Sequence, residues 1–191
     1  MPVATSKRDN ILNSALKLFA ERGFDATTVP MIANDALVGA GTIYRYFENK
    51  EVLVNTLFQY YIHTFIETLN KDFPCDRSIK EQFHHLFQGM VRFSNQHEHA
   101  LYFIKTHSAA HFLTDTSQEY FEQLLAILQT FFDRGKEESV IRNLPSTALI
   151  AIIFGAFQEL HQLIRKGELE QTNDLLKGVE ESCWDAVRLH G

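Results

Sequence analysis

Cysteine and proline are scarce in this chain of 191 residues, which contains two cysteines and four prolines. Cys75 and Cys183 are far apart in sequence, which excludes a small disulfide-stapled fold and favours a reducing compartment. The longest apolar stretch, residues 148–157, is about half of what a membrane-spanning helix needs. The N-terminus also lacks the apolar region of a signal peptide. We therefore expect a soluble, cytoplasmic protein with no membrane partner.

The motifs of common enzyme classes are also missing. The chain has no P-loop, no GxGxxG and no GxSxG, and no spacing favours a Ser/His or Cys/His pair. His107 and His111 stand four residues apart and share a helix face, as many metal-binding pairs do. Because the chain has no HExxH motif and no cysteine pair at ligand spacing, the sequence predicts no metal site, no cofactor and no enzyme.

The net charge of the chain is weak evidence about whether it binds nucleic acid. The whole chain carries −6 at pH 7, but residues 1–60 contain six basic and six acidic groups and sum to zero. The remaining residues carry the entire negative excess. A phosphate-binding face is therefore expected only in the first sixty residues.

Apolar residues recur at helical spacing along the chain, and no sustained strand-like alternation occurs. This pattern predicts an all-α protein. Residues 1–50 are expected to form a three-helix head with a helix-turn-helix, and residues 51–191 a larger helical body that binds a ligand and dimerises. The chain is expected to contain about nine helices, over residues 10–22, 29–35, 40–47, 50–71, 79–91, 101–112, 119–136, 146–157 and 169–189.

The stretch most informative about function is 27–50. Two helices of about two turns each, joined by a short turn, match the helix-turn-helix design, in which the second helix enters the major groove. Ile43 and Phe47 are expected to anchor that second helix in the core. The groups left for its outer face are hydroxyls and a guanidinium, which suit phosphates and base edges. The alternative is that its two tyrosines are core residues.

Two stretches resemble the DNA-binding domain of TetR-family transcriptional regulators. They read ILNSALKLFAERGFDATTV over residues 11–29 and IANDALVGAGTIYRYFENKEVLV over residues 32–54. The helical body, with little motif content, also resembles the ligand-binding and dimerisation part of that family. The resemblance implies a homodimer that binds double-stranded operator DNA and releases it when a small ligand fills the body.

By position, the resemblance implies DNA contacts from three parts of the head. Thr42, Tyr44 and Tyr46 match contacts of the recognition helix, and Lys50 matches a phosphate contact at the start of the fourth helix. Thr28, as a helix N-cap, is placed to present backbone N–H groups to a phosphate. These five residues are predicted DNA-binding residues.

The head departs from the family pattern at three positions. Leu37 stands where the turn commonly has Gly, and a non-Gly residue is costly at positive φ, so we expect a different turn geometry. Ala40 and Pro30 replace longer polar groups, so base readout is expected to be sparse, although Ala40 can touch a thymine methyl. Arg45 varies in the family and is the candidate specificity residue.

The body is rich in phenylalanine. Core packing accounts for most of these residues. In the family, however, helices four to eight surround a ligand cavity, and aromatic walls with a few polar groups suit an elongated apolar or aromatic effector. The predicted ligand-binding residues are Phe65, Phe87, Met90, Phe103, His107, His111, Phe154 and Gln158.

The last two helices are the predicted dimer interface. The eighth is apolar on more than one side and must be covered, either by a two-fold mate or by the rest of its own chain. Pairing with the mate gives a four-helix bundle and sets the recognition helices about 34–36 Å apart, which predicts a palindromic operator. The predicted interface residues are Leu149, Ile153, Leu160, Leu176, Val179, Cys183 and Val187.

Ligand in the body is expected to favour a spacing of the heads that does not match successive major grooves. A repressor released by its ligand is the common mode in the family. A corepressor-dependent repressor or an activator would use the same parts, and a helical scaffold or enzyme without DNA binding is the remaining alternative.

Overall fold

The computed structural model describes residues 6–190, and within that range the chain is all-α, as predicted. It contains nine helices and no strand there; a single isolated β-bridge pairs Ile141 with Arg188. The helices are α1 Lys7–Ala26, α2 Val29–Asp35, α3 Ala40–Tyr46, α4 Lys50–Asn70, α5 Ile79–Gln96, α6 Ala100–His107, α7 Asp115–Glu137, α8 Ser146–Arg165 and α9 Asn173–Val187.

Side-chain caps fix several helix starts. Ser6 and Asp9 form a capping box at α1, and Ser78 and Glu81 form the same arrangement at α5. The Asn49 side chain accepts a hydrogen bond of 2.8 Å from the Val52 N–H at the start of α4. These caps satisfy N–H groups that have no partner inside the helix.

Several helix boundaries differ from the prediction: α5 and α8 extend further, to Gln96 and Arg165, and α9 begins later, at Asn173. α1 continues to Ala26, across a kink at Gly23, whose φ of 78° interrupts the helical backbone where a stop was expected. α6 ends at His107 instead of residue 112, because residues 108–114 form turns.

The described chain divides into two compact units. The first comprises the residues up to Thr64 together with His97–Phe121, so it holds α1 to α3 and α6. Phe19, Phe58 and Phe103 are buried in its core. The Phe103 ring lies 6.3 Å from that of Phe19 and 6.2 Å from that of Phe58. This unit therefore includes α6 as well as the helix-turn-helix, because α6 packs on α1.

The second unit comprises Phe65–Gln96 and the residues from Glu122 onward. Its core is aromatic: Phe87 meets Phe157 edge-on at 5.5 Å, and Phe83 lies 5.2 Å from Trp184. At Gly135 of α7 a Cβ atom would lie 2.4 Å from Ile141 Cδ1, so glycine permits the close approach of the chain after α7.

Candidate nucleic-acid interface and effector cavity

The segment α2–turn–α3 forms the expected helix-turn-helix. Thr28 is exposed and caps α2, accepting a 3.4 Å hydrogen bond from the Met31 N–H, and Pro30 lies in the first turn, where its missing N–H is tolerated. The predicted bounds of α2 are confirmed.

α3 presents two different faces. Ile43 is 1% exposed and Phe47 at its C-cap 3%, so both anchor the helix in the core. Tyr44 is 55% exposed and Tyr46 48%, and Arg45 is exposed beside them. The tyrosine rings therefore lie outside the core, and the core-packing alternative is excluded. Two further predicted contact residues, Thr42 and Ala40, are half-buried.

The turn before α3 keeps the left-handed backbone that its family position requires. Leu37 has φ of 54° and is 91% exposed. Leu37 therefore adopts the left-handed backbone that glycine usually adopts, and the chain accepts the strain of a Cβ in this conformation.

Lys50 makes internal contacts with the end of α1. Its ammonium donates hydrogen bonds of 2.7 Å to the Phe24 carbonyl and 2.9 Å to the Thr27 carbonyl, and lies 3.9 Å from the centre of the Phe24 ring. Two of its three N–H donors therefore tie the start of α4 to the end of α1.

Several charged side chains of the head are engaged in internal contacts. Lys17 pairs with Asp35 at 3.0 Å, which lowers the pKa of that carboxyl, and the Arg8 guanidinium lies 5.8 Å from the centre of the Phe47 ring. Arg45 makes no hydrogen bond or ion pair within residues 6–190. It is therefore the cation of α3 that is available to a ligand.

Asn55 holds the turn after α6 against α4, a role that sequence reasoning missed. Its side chain is 5% exposed and donates to the Glu51 and Phe112 carbonyls, each at 2.9 Å. Its Oδ1 accepts from the Thr114 N–H at 2.9 Å and from the Ser117 hydroxyl. The sequence signal for this role is the position of Asn55, a polar residue among the apolar residues of α4.

An apolar cavity of about 40 Å³ lies within the second unit. Four of the predicted ligand-binding residues line it: Phe65, Phe87, Met90 and Phe154. Eight further apolar side chains complete the wall: Leu69, Phe83, Leu86, Leu128, Phe131, Phe132, Ile150 and Ile153.

The other four predicted ligand-binding residues do not line this cavity. Phe103 and His107 pack in the first unit, with their rings 4.6 Å apart, and His111 is exposed in the turn after α6. Burial lowers the pKa of His107, whose Nδ1 lies 2.9 Å from the Phe103 carbonyl. Gln158 is buried in the second unit but does not line the cavity.

Within residues 6–190, no group of three or more His, Cys, Asp or Glu side chains is arranged to hold a metal ion.

The predicted dimer residues require correction. The structure buries five of the seven inside their own unit, where they retain almost no surface for a partner: Leu149, Ile153, Leu160, Cys183 and Val187. Leu176 and Val179 are half-buried. The outward face of α8 consists instead of the exposed Ala151, Ile152, Ala156 and Glu159, together with the half-buried Gly155.

α8 has the length and hydropathy of a membrane-crossing helix, contrary to the expectation from the longest apolar run. Only 28% of its most apolar window is buried within the described chain. One such helix is weak evidence for a membrane span, since a helix in the core of a soluble protein satisfies the same criteria.

Two family models cover nearly the whole chain. Residues 11–57 match the model "Bacterial regulatory proteins, tetR family", and residues 58–189 match "Tetracyclin repressor-like, C-terminal domain".

Individual relatives agree with the family models. The Fatty acid metabolism regulator protein of Bacillus subtilis (strain 168) is 38% identical over 72 residues, which is 38% of this chain and 37% of the relative. The HTH-type transcriptional repressor KstR2 of Mycolicibacterium smegmatis is 41% identical over 54 residues, 28% of this chain and 26% of the relative. The chain thus matches these curated relatives over well under half of their length.

A solved structure matches over almost the full length. The crystal structure of a TetR family transcription regulator from Marinobacter aquaeolei VT8 has a TM-score of 0.82 and 26% identity, covering 96% of each chain. The family consists of regulators, not enzymes. By the match of both its halves, the chain belongs to the TetR family of bacterial transcriptional regulators.

Proposed function

We propose that this protein is a cytoplasmic transcriptional repressor that binds a palindromic operator as a homodimer and is released by a small apolar or aromatic effector. The observation that carries the DNA-binding part is the outer face of α3. Tyr44, Arg45 and Tyr46 are exposed there on a helix that Ile43 and Phe47 fix in the core. Rigid presentation of donors and rings suits a helix that enters the major groove.

The proposed DNA contacts fall into two groups. Tyr44, Arg45 and Tyr46, with Thr42 and Ala40 beside them, contact base edges and sugars, while the N-terminus of α2 at Thr28 contacts a phosphate. Lys50 contributes at most its one remaining N–H donor to phosphate. Since few cations face the duplex, affinity is expected to depend only moderately on salt.

The dimer is proposed to form through the outward face of α8. Ala151, Ile152, Gly155 and Ala156 expose small and apolar groups, and at Gly155 a Cβ atom would meet nothing within 4 Å. Small residues allow two helices to approach closely, and such an apolar face on a soluble protein requires cover. Leu176 and Val179 of α9 are proposed to contribute their exposed parts.

A charge placed on this face tests the dimer. Ala156→Glu is expected to give a folded monomer by analytical ultracentrifugation, whereas Ala109→Glu, at an exposed alanine in the turn after α6, is expected to stay dimeric. A monomeric wild-type protein, or an Ala156→Glu variant that remains dimeric, would contradict the proposal. Purification that requires detergent would favour a membrane role for α8 instead.

The effector part rests on the apolar cavity of the second unit. Its wall contains no polar side chain, so a ligand bound there is held by burial of apolar surface, and its volume of about 40 Å³ must widen to admit a ligand larger than a water molecule. One relative is named for fatty acid metabolism, which accords with an elongated apolar effector. The ligand binds more tightly to the protein state in which the two heads do not match successive major grooves. Because it favours that state, it weakens DNA binding.

Selection of bound sequences from random double-stranded DNA tests the DNA-binding function. We expect recovery of a palindrome with half-sites about one helical turn apart. Addition of cell-extract small molecules to the complex is expected to release the DNA. If no duplex is retained at low salt, the proposed function is wrong; if extract strengthens binding, a corepressor replaces the released-repressor mode.

A further inference from the structure

A second, wider cavity adjoins the apolar one in the same unit. Its volume is about 340 Å³, within the range of pockets that bind small ligands, whereas the apolar cavity, at about 40 Å³, has room for little more than a water molecule. Leu86 and Phe131 line both cavities. These two side chains therefore lie on the boundary of both cavities.

The two cavities differ in polarity. The inner wall is entirely apolar, whereas the outer wall also contains Asn70, Gln82, Thr130 and Arg134. Arg134 is the one charged side chain that lines the outer cavity in the described chain. A ligand that spans both cavities therefore meets a cation at one end and apolar side chains at the other.

Most polar groups of the outer wall are already engaged. The Gln82 amide donates to the Cys75 and Arg77 carbonyls at 3.2 and 2.8 Å, and the Thr130 hydroxyl donates to the Ala126 carbonyl at 2.8 Å. The Asn70 amide, in contrast, makes no hydrogen bond within the described residues.

Most of the N–H donors of the Arg134 guanidinium make no hydrogen bond within the described residues. Its Nε donates to Glu138 Oε1 at 3.1 Å, while its two Nη groups make no contact with a protein acceptor in the described chain. Its side chain is 38% exposed, so water and ligand can both reach it. A planar guanidinium with two unused Nη groups suits a carboxylate, which it binds through paired, charge-assisted hydrogen bonds.

We propose that these two cavities form one site for an acidic amphiphile, with its carboxylate on Arg134 and Asn70 and its apolar tail past Leu86 and Phe131. This inference deepens the proposed effector function and rests on it. The tail enlarges the inner cavity by displacing side chains, among which Met90 is the most adaptable. Glu138 competes with the ligand's carboxylate for the Arg134 guanidinium, so its presence lowers the affinity of the protein for the ligand.

Matched probes separate the head group from the tail. Dodecanoate, dodecan-1-ol and methyl dodecanoate share a chain length, and only the first carries a negative charge. Binding is followed by calorimetry and by the fluorescence of Trp184, the single tryptophan, whose ring contacts the cavity residue Phe83. The variants are Arg134→Gln, Glu138→Gln and, as a charge-matched control on α5 outside both cavities, Arg92→Gln.

Wild-type protein is expected to bind dodecanoate about tenfold tighter than dodecan-1-ol, the effect of a partly exposed charged hydrogen bond. Arg134→Gln is expected to abolish this preference, Glu138→Gln to increase it, and Arg92→Gln to preserve it. Equal binding of acid and alcohol by wild type, a preference that survives Arg134→Gln, or no binding of any probe would overturn the inference. The effector function is judged separately: it fails if apolar compounds that bind the protein never release selected DNA.

Discussion

The Ser117 hydroxyl donates a 2.6 Å hydrogen bond to Asn55 Oδ1, which joins the first turn of α7 to the second turn of α4. The Gln59 amide donates in turn to the Ser117 hydroxyl at 2.9 Å, and the stacked rings of Phe24 and Phe112 lie 3.9 Å apart in the same unit. A buried polar cluster with satisfied partners specifies one arrangement of the elements it joins. The turn between α6 and α7 is therefore held against the helices of the DNA-binding head.

Replacement of Asn55 by Ala is expected to lower the free energy of unfolding by about 2–3 kcal/mol, because it leaves buried donors and acceptors without partners. Thr56→Ala removes a neighbouring hydroxyl that only donates to the Val52 carbonyl, and is expected to change stability by less than about 0.5 kcal/mol. Urea denaturation followed by circular dichroism measures both. Equal effects of the two substitutions would show that the Asn55 cluster adds nothing to stability.

Most of the helices could be predicted from N-cap residues and helical periodicity, because both signals come from residues close together in sequence. Thr28 and Asn49 cap the starts of their helices as their residue types predict. The end of α6 at His107 was missed, since residues 108–114 keep an apolar pattern and their turns depend on the distant Asn55. Interactions between residues far apart in sequence leave no such local signal.

The candidate sites were predicted unevenly for the same reason. The outward tyrosines of α3 follow from the spacing of Ile43 and Phe47 within one short helix. Which buried aromatic belongs to which unit does not follow from periodicity, so Phe103 was assigned to a cavity although it packs on α1. Likewise, an apolar helix such as α8 offers no sequence signal for which stripe faces its own core.

Leu37→Gly is expected to raise the free energy of unfolding by about 0.5–1 kcal/mol. The substitution removes the Cβ strain of a residue at φ 54°, and part of that gain is offset by the greater freedom of glycine in the unfolded chain. Leu37→Ala keeps the Cβ and removes only the 91% exposed side chain, so no gain is expected from it. Thermal unfolding of both variants distinguishes backbone strain from side-chain exposure; a gain shared by both would assign it to the latter.

Stability is expected to fall as pH falls below 6.5. Burial lowers the pKa of His107 and of His97 in the folded chain, so the unfolded chain binds more protons between 6.5 and the folded-state pKa values. The free energy of unfolding therefore decreases on acidification, by at most about 1.4 kcal/mol per pH unit for each proton. The stability that these two histidines contribute is fully present above pH 6.5. It is lost as the pH falls through their folded-state pKa values.

Substitution of the two imidazoles separates their contributions. His107→Gln is expected to reduce the slope of stability against pH and leave the part due to His97, while His111→Gln, at an exposed position, is expected to keep the wild-type slope. Urea denaturation between about pH 7.5 and about pH 5.5 measures the slopes. An unchanged slope in His107→Gln would show that this imidazole is not responsible.

Tyr44→Ala is expected to weaken binding to selected operator DNA by about 5- to 150-fold, corresponding to the 1–3 kcal/mol of a specific groove contact. Tyr60→Ala is the matched control, since this tyrosine is 52% exposed on α4, close to the 55% of Tyr44, but lies outside the proposed DNA face. Tyr44→Phe separates the hydroxyl from the ring. Fluorescence anisotropy measures the affinities, and circular dichroism verifies that each variant is folded. Because both residues expose similar ring area, a loss confined to Tyr44 locates the DNA on α3, whereas equal losses would mean that aromatic exposure alone governs binding.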